Sequence, residues 1–227
     1  MSTGRRVAAA LTRFWVDDRG LSVFLALLVF VAFVLVPLVP PGSGRSRIGD
    51  VVLALLLLSG LQALGERKLR LVLMPVALAA LSVELASWFL PVGEAWVEAT
   101  SLVSLLLFLF VVLGHTLRRG EVTIHRIQGA VAAYLLLGIV WAYAYSLLAH
   151  ARPGAFAGAV SAVDGPRAWF YFSFVALTTV GFGDIQPVHP VARSLASLEA
   201  VVGPLYLAIL VARLVSTASW GAGRRQG

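Results

Sequence analysis

The 227-residue chain contains no cysteine. That absence excludes disulfides and thiolate-ligated metal or iron–sulfur centres. Its four histidines, His115, His125, His150 and His189, are scattered with no metal-ligand spacing such as H-x-x-x-H. Charge is also scarce: 13% of residues are charged and 59% are hydrophobic. A soluble domain carries about 25% charged and about 45–50% apolar residues. The apolar excess is too large for one buried core and fits a chain that uses lipid as its solvent.

Acidic groups are the rarer kind of charge, 11 against 18 basic ones, for a formal net charge of +7. A basic balance can mark a nucleic-acid footprint, but here the arginines fall in short connections between apolar runs, where they set membrane topology. We therefore expect no nucleic-acid partner. The first apolar run, Leu21–Pro40, is longer than the roughly 7–15 residues of a signal-peptide core. No small-x-small cleavage site follows it, so it reads as a retained span.

A membrane-spanning helix needs about 20 mostly apolar residues. Six runs qualify: Leu21–Pro40, Ile48–Leu64, Leu71–Leu90, Ser101–Leu117, Ile127–His150 and Ala192–Thr217. With six spans, one side of the membrane collects Arg5, Arg6, Arg13 and Arg19, then Arg67, Lys68 and Arg70, then Arg118, Arg119 and Arg126, and finally Arg224 and Arg225. The opposite side holds Arg45 and Arg47 with Asp50, then Glu94 and Glu98 without a base. The positive-inside rule places both termini in the cytoplasm.

Between spans five and six lies a segment of another kind, about Ala151 to Val191. Asp164-Gly165-Pro166 is a helix-start signal. The apolar run Trp169–Leu177 that follows is too short to cross a bilayer, and it ends in Thr178-Thr179-Val180-Gly181-Phe182-Gly183-Asp184. A half-helix followed by glycine-rich backbone reads as a re-entrant loop. Such backbone is tolerated at membrane depth only where protein buries it or where it lines a water-filled path. Glycines at 181 and 183 reach positive φ at little steric cost. Backbone that alternates in handedness can turn successive carbonyls toward one axis, where they replace an ion's hydration shell.

This segment is similar to the filter signature T-V-G-[YF]-G of the potassium-channel family. The resemblance covers about Ile127 to Val215. It extends to the pore-helix aromatics Tyr171-Phe172, to Pro187 and Arg193, and to Gly203 at the position of the inner-helix hinge glycine. It implies potassium ions held by the carbonyls of Thr179, Val180, Gly181 and Phe182 and by the Thr179 hydroxyl, with no organic cofactor. It also implies Val180 and Phe182 side chains packed as an outer cuff, and support from Thr178, Gly183, Asp184 and Tyr171, the last as hydroxyl donor to Asp184. Val175 stands where the proton-gated bacterial channel has glutamate. The chain is closer there to the voltage-gated group, and inactivation behaviour does not carry over from the proton-gated one. One chain supplies one filter strand, so the expected assembly is a homotetramer in a lipid membrane, with room for an unidentified regulatory partner.

The expected fold class is an all-α integral membrane protein with four parts. Residues 1–20 form a cytoplasmic segment, 21–120 a four-helix sensor-like bundle and 121–217 a pore domain of two spans (pore helix 166–178, filter 179–183). Residues 218–227 form a short cytoplasmic tail with no room for a ligand-binding domain. A voltage sensor needs several arginines inside its fourth span. Ser101–Gly114 has none, so weak or absent voltage dependence is expected.

Gating candidates are Gly203, Pro204 and Glu199. Gly203-Pro204 weakens the inner helix and reads as a hinge, against close helix packing at a small residue. Glu199 lies one turn before Gly203, either ringing the cavity or bonded to a pore helix. Helical spacing puts Leu207 and Val211 near the pore axis. Glu84 inside span three is a functional candidate by location, though a packing carboxyl bonded to Ser82 or Ser87 is the simpler reading. Glu121–Gln128 is either a surface-lying amphipathic linker or the first turns of span five. Trp141, Tyr143 and Tyr145 read as interface and packing aromatics.

Three other functions compete: a non-selective cation channel, a secondary transporter and a non-conducting accessory subunit. The intact filter opposes the first and third, and the single re-entrant unit opposes the second. Arginine-over-lysine usage and alanine bias suggest a bacterial plasma membrane.

Overall fold

A computed structural model of the chain describes residues 19–38, 93–116, 124–158 and 165–223, with isolated positions between 74 and 90. The expected second span, Glu84 and the basic stretch from Arg67 to Arg70 lie outside the described residues, as do Arg118 and Arg119.

Apart from the isolated positions between 74 and 90, the described residues form five helices and a two-stranded ribbon, in chain order. Helix α1 starts at Arg19–Phe30, passes through a π-helical turn at Val31–Leu35 and ends at Val36–Leu38. Helix α2 is Glu94–Thr116 and α3 is Ile124–Ala151. Strand β1 (Phe156–Gly158) precedes α4 (Gly165–Leu177). Strand β2 (Ile185–Pro187) leads into α5 (Pro190–Gly223).

Three of the helices, at Ala95–Gly114, Arg126–Ala151 and Pro190–Arg213, are long and apolar enough to cross a membrane. Helices α3 and α5 run past the expected apolar runs at both ends, and α2 starts seven residues earlier, at Glu94 instead of Ser101. Helix α3 begins at Ile124, so the latter part of the Glu121–Gln128 stretch is the first turn of this span rather than a separate surface helix. Two serine hydroxyls inside α2 are satisfied within the helix itself. The Ser101 and Ser104 hydroxyls donate to the carbonyls of Val97 and Thr100, one turn back. This matters where no water is available to do so.

Helix α3 is the organising element. Phe24 and Leu28 of α1 and Leu105, Phe108 and Val112 of α2 pack with Leu136 and Ile139 of α3 in one buried cluster. Phe24 and Phe108 meet edge to face at 5.6 Å. The end of α1 also reaches α4, where Phe33 lies 5.3 Å from Phe174. The first and fourth expected spans therefore pack on α3 of the same chain, and the first also meets α4.

At the carboxyl end of α3, Glu98 of α2 accepts a hydrogen bond from the Ser146 hydroxyl (2.6 Å) and sits 3.0 Å from His150 Nδ1. The sequence shows Glu98 in a loop region without a base; the fold supplies a histidine 52 residues later (150 minus 98).

Candidate functional site

The site is built on α4, a helix of 13 residues that cannot span a bilayer. One side of it is anchored on α3: Ala142 and Tyr145 pack with Trp169 and Phe172 in a second buried cluster. Phe156 of β1 completes the cluster, 4.8 Å from Trp169 and 5.6 Å from Phe172. Tyr171, the next residue round the helix, points instead toward the loop, where it stacks on Phe182 at 6.3 Å with the rings within 3° of parallel. The Asp184 carboxylate acts on the same tyrosine. Chiefly through a hydrogen bond, it holds the Tyr171 hydroxyl above its ordinary pKa, so the hydroxyl stays protonated and able to donate.

The loop itself has a particular backbone. Thr179, Gly181 and Gly183 all have positive φ, at 61°, 59° and 80°. Every second residue is left-handed, including a β-branched threonine that disfavours this region. The strand is held to the end of α4 by backbone hydrogen bonds. Thr179 N–H donates to Ala176 (2.9 Å), while Val180 N–H (3.0 Å) and Gly181 N–H (3.4 Å) share the carbonyl of Val175. The Thr178 hydroxyl turns back to the Phe174 carbonyl at 2.6 Å. Val180 and Phe182 side chains are 53% and 68% exposed in the single chain.

Beyond Asp184 the chain enters a small antiparallel ribbon, with Phe156 opposite Pro187 and Gly158 opposite Ile185. The backbone N–H groups of Val188 and His189 both donate to the Ala155 carbonyl (2.9 and 3.1 Å). Arg193 Nε donates to the Pro187 carbonyl (3.1 Å), and the Gln186 side-chain amide donates to the Gly183 carbonyl (2.9 Å). The segment after the loop is thus tied to the connection after α3. Nothing in the sequence pattern announced this ribbon, since each of its strands is three residues long.

The inner side is closed by α5. Gly203 lies against the last carbonyl of α4: a Cβ built there would meet the Leu177 oxygen at 2.0 Å. The hinge reading of Gly203 is therefore accompanied by a direct packing role. Helix α5 continues from Pro190 to Gly223 through Pro204.

Glu199 is fully buried and bonded to Tyr145 and Ser173. Of the two expected arrangements, the single chain has the bonded one: the carboxyl faces α3 and α4, which carry the hydroxyls that contact it. Tyr145, taken from the sequence as a packing aromatic, is also one of its hydrogen-bond donors. Leu207 and Val211 are exposed in the single chain, on an α5 that is mostly unburied.

Residues 133–219 match a protein-family model described as "Ion channel". Among curated proteins, the inward rectifier potassium channel Kirbac3.1 of Paramagnetospirillum magnetotacticum is 35% identical over 80 residues. That match covers 34% of this chain and 24% of the relative, so the chain matches about a quarter of that protein's length. No solved structure matches. The match covers α4, the left-handed loop and all but the start of α3 and the end of α5; together with the apolar helices it supports an integral membrane protein, with a region similar to an ion-channel domain.

Proposed function

We propose that four copies of this chain form a passive, potassium-selective pore, with the ions held at Thr179, Val180, Gly181 and Phe182. The observation that carries this reading is the left-handed backbone at 179, 181 and 183, fastened to the end of a half-helix. Alternation of this kind is what aligns carbonyls into a cage that replaces hydration water. The carboxyl end of α4 also carries a partial negative charge, which favours a cation beyond it. The relative named as a potassium channel supports the choice of ion. The exposed apolar side chains of α5, among them Leu198, Val201 and Leu205, support contact with further copies around a fourfold axis.

Liposomes containing the purified protein test the proposal directly. Rubidium or potassium uptake should exceed sodium uptake by a wide margin and be blocked by barium. Equal uptake of sodium and potassium overturns the selectivity. Transport that saturates at the slow rate of a carrier cycle, without unitary current steps, overturns the pore.

The second expectation concerns voltage. Moving one charge through the membrane field yields about 2.3 kcal/mol per 100 mV, and Glu94–Thr116 contains no arginine or lysine to move. Conductance in symmetric potassium should therefore change only shallowly between negative and positive potentials. A steep sigmoid would show that charge movement elsewhere in the chain drives opening.

A further inference from the structure

Behind α4, three helices meet at one buried carboxyl group. Oε2 of Glu199 on α5 accepts a hydrogen bond from the Tyr145 hydroxyl of α3 at 2.5 Å. Oε1 lies 2.6 Å from the hydroxyl oxygen of Ser173 on α4. That same serine oxygen lies 2.7 Å from the Gly138 carbonyl of α3.

The hydrogens in this cluster can be counted. A serine hydroxyl has one to donate, and a backbone carbonyl can only accept. The short Ser173–Gly138 contact therefore uses the serine hydrogen. The equally short contact with Glu199 then needs a hydrogen from the glutamate side, which a carboxylate lacks and a carboxylic acid has. With an ionised Glu199, one of the two serine contacts would be oxygen against oxygen with no proton between. A full charge would also lie in a fully buried site held by two hydroxyls, an arrangement that is costly without a counter-ion. Among the described residues no basic side chain pairs with this carboxyl. The titratable groups acting near it are Tyr134 and Tyr145, both on α3, while α4 presents Ser173.

We propose that Glu199 is a neutral carboxylic acid that positions the pore helix. It donates from Oε1 to Ser173, Ser173 donates on to Gly138, and Tyr145 closes the cluster at Oε2. Ser173 precedes by two residues the Val175 carbonyl that receives the Val180 and Gly181 N–H groups. The acid thus fixes the depth and rotation of the helix from which the loop hangs. Its effect on conduction rests on the pore reading above; its protonation does not.

Infrared difference spectroscopy on the full chain in lipid reads the protonation. A protonated-carboxyl C=O stretch should be present in the wild type, absent from Glu199→Gln and displaced in Ser173→Ala, which keeps the acid but removes its acceptor. Glutamine reproduces both the donor and the acceptor of the neutral acid. E199Q should accordingly keep the potassium-to-sodium flux ratio within about twofold of wild type, whereas Glu199→Ala should lower it by about tenfold. Raising the pH until the band vanishes should lower the wild-type ratio and leave that of E199Q unchanged.

Lack of the band in folded wild-type protein overturns the proposal. So does an E199Q that misfolds or loses selectivity as E199A does, because an amide replaces an acid faithfully but not an anion. If the wild type carries no flux at all, the pore reading fails, and the infrared band still decides the state of Glu199.

Discussion

Alanine at position 203 is expected to abolish assembly or reduce rubidium flux by at least about tenfold, although it adds a single methyl group. The added carbon would sit 2.0 Å from the Leu177 carbonyl oxygen, 3.0 Å from its carbon and 3.2 Å from Leu177 Cδ1. The first two are backbone atoms at the end of α4, and they cannot rotate out of the way as a side chain could. Relief requires α4 or α5 to move bodily. The region resists this, because the Tyr206 hydroxyl ties α5 to the Ala130 carbonyl at 2.7 Å and Tyr134 stacks on Tyr206 at 5.8 Å. Overpacking of this kind costs about 1–3 kcal/mol per site, and a symmetric assembly repeats it in every subunit.

The experiment separates packing from hinging. Packing predicts a lower melting temperature of the detergent-solubilised assembly for Gly203→Ala and an ordinary one for Pro204→Ala. A pure hinge predicts normal melting for both, with altered opening. A Gly203→Ala protein that melts and conducts like wild type would refute the close contact.

The second large effect belongs to the loop. Gly181 and Gly183 have φ of 59° and 80°, and an added Cβ at either meets nothing within 4 Å in the single chain. Space is not what requires glycine there; handedness is. A left-handed conformation costs an L-residue about 1–2 kcal/mol, and Thr179 at φ 61°, just before Gly181 in the loop, already carries such a cost. Replacing both glycines with alanine should let the strand relax to negative φ. Potassium flux should then fall at least about a hundredfold, from roughly 1–2 kcal/mol at each position in each subunit.

Insertion and helix content should be retained, since the helices bury none of these residues. A further readout needs no flux. Potassium should raise the melting temperature of the wild-type assembly relative to sodium, because a ligand bound only by the folded state stabilises it. That difference should vanish in the double variant. Selective flux that survives both substitutions would remove the loop from the ion path.

Several of these features were legible before any fold was known. The six apolar runs and their alternating basic connections are one-dimensional signals, each read within about 20 residues. The half-helix from Gly165 is set by its start signal and by its short apolar length. The left-handed positions at 181 and 183 follow from glycine, the residue type that takes them most easily.

Other features had no local signal. Glu199 meets Tyr145 and Ser173 across 54 and 26 residues of chain. Ser146 and Glu98 are 48 apart. Sequence alone left Glu199 divided between the cavity and the pore helix, because a helical face shows which residues align but not which neighbour they meet. It also left Gly203 between hinge and contact, since a missing side chain looks the same in either role.

The sequence by itself determined the solvent, the candidate spans and the residue types of the loop, because each depends on the chemistry of neighbouring positions. Tertiary structure alone decided that α1 and α2 pack on α3 of the same chain, that Gly203 receives the end of α4, and that a buried carboxyl joins three helices. Those are contacts between distant segments, and they exist only once packing has removed every alternative partner for a buried polar group or a close-fitting backbone.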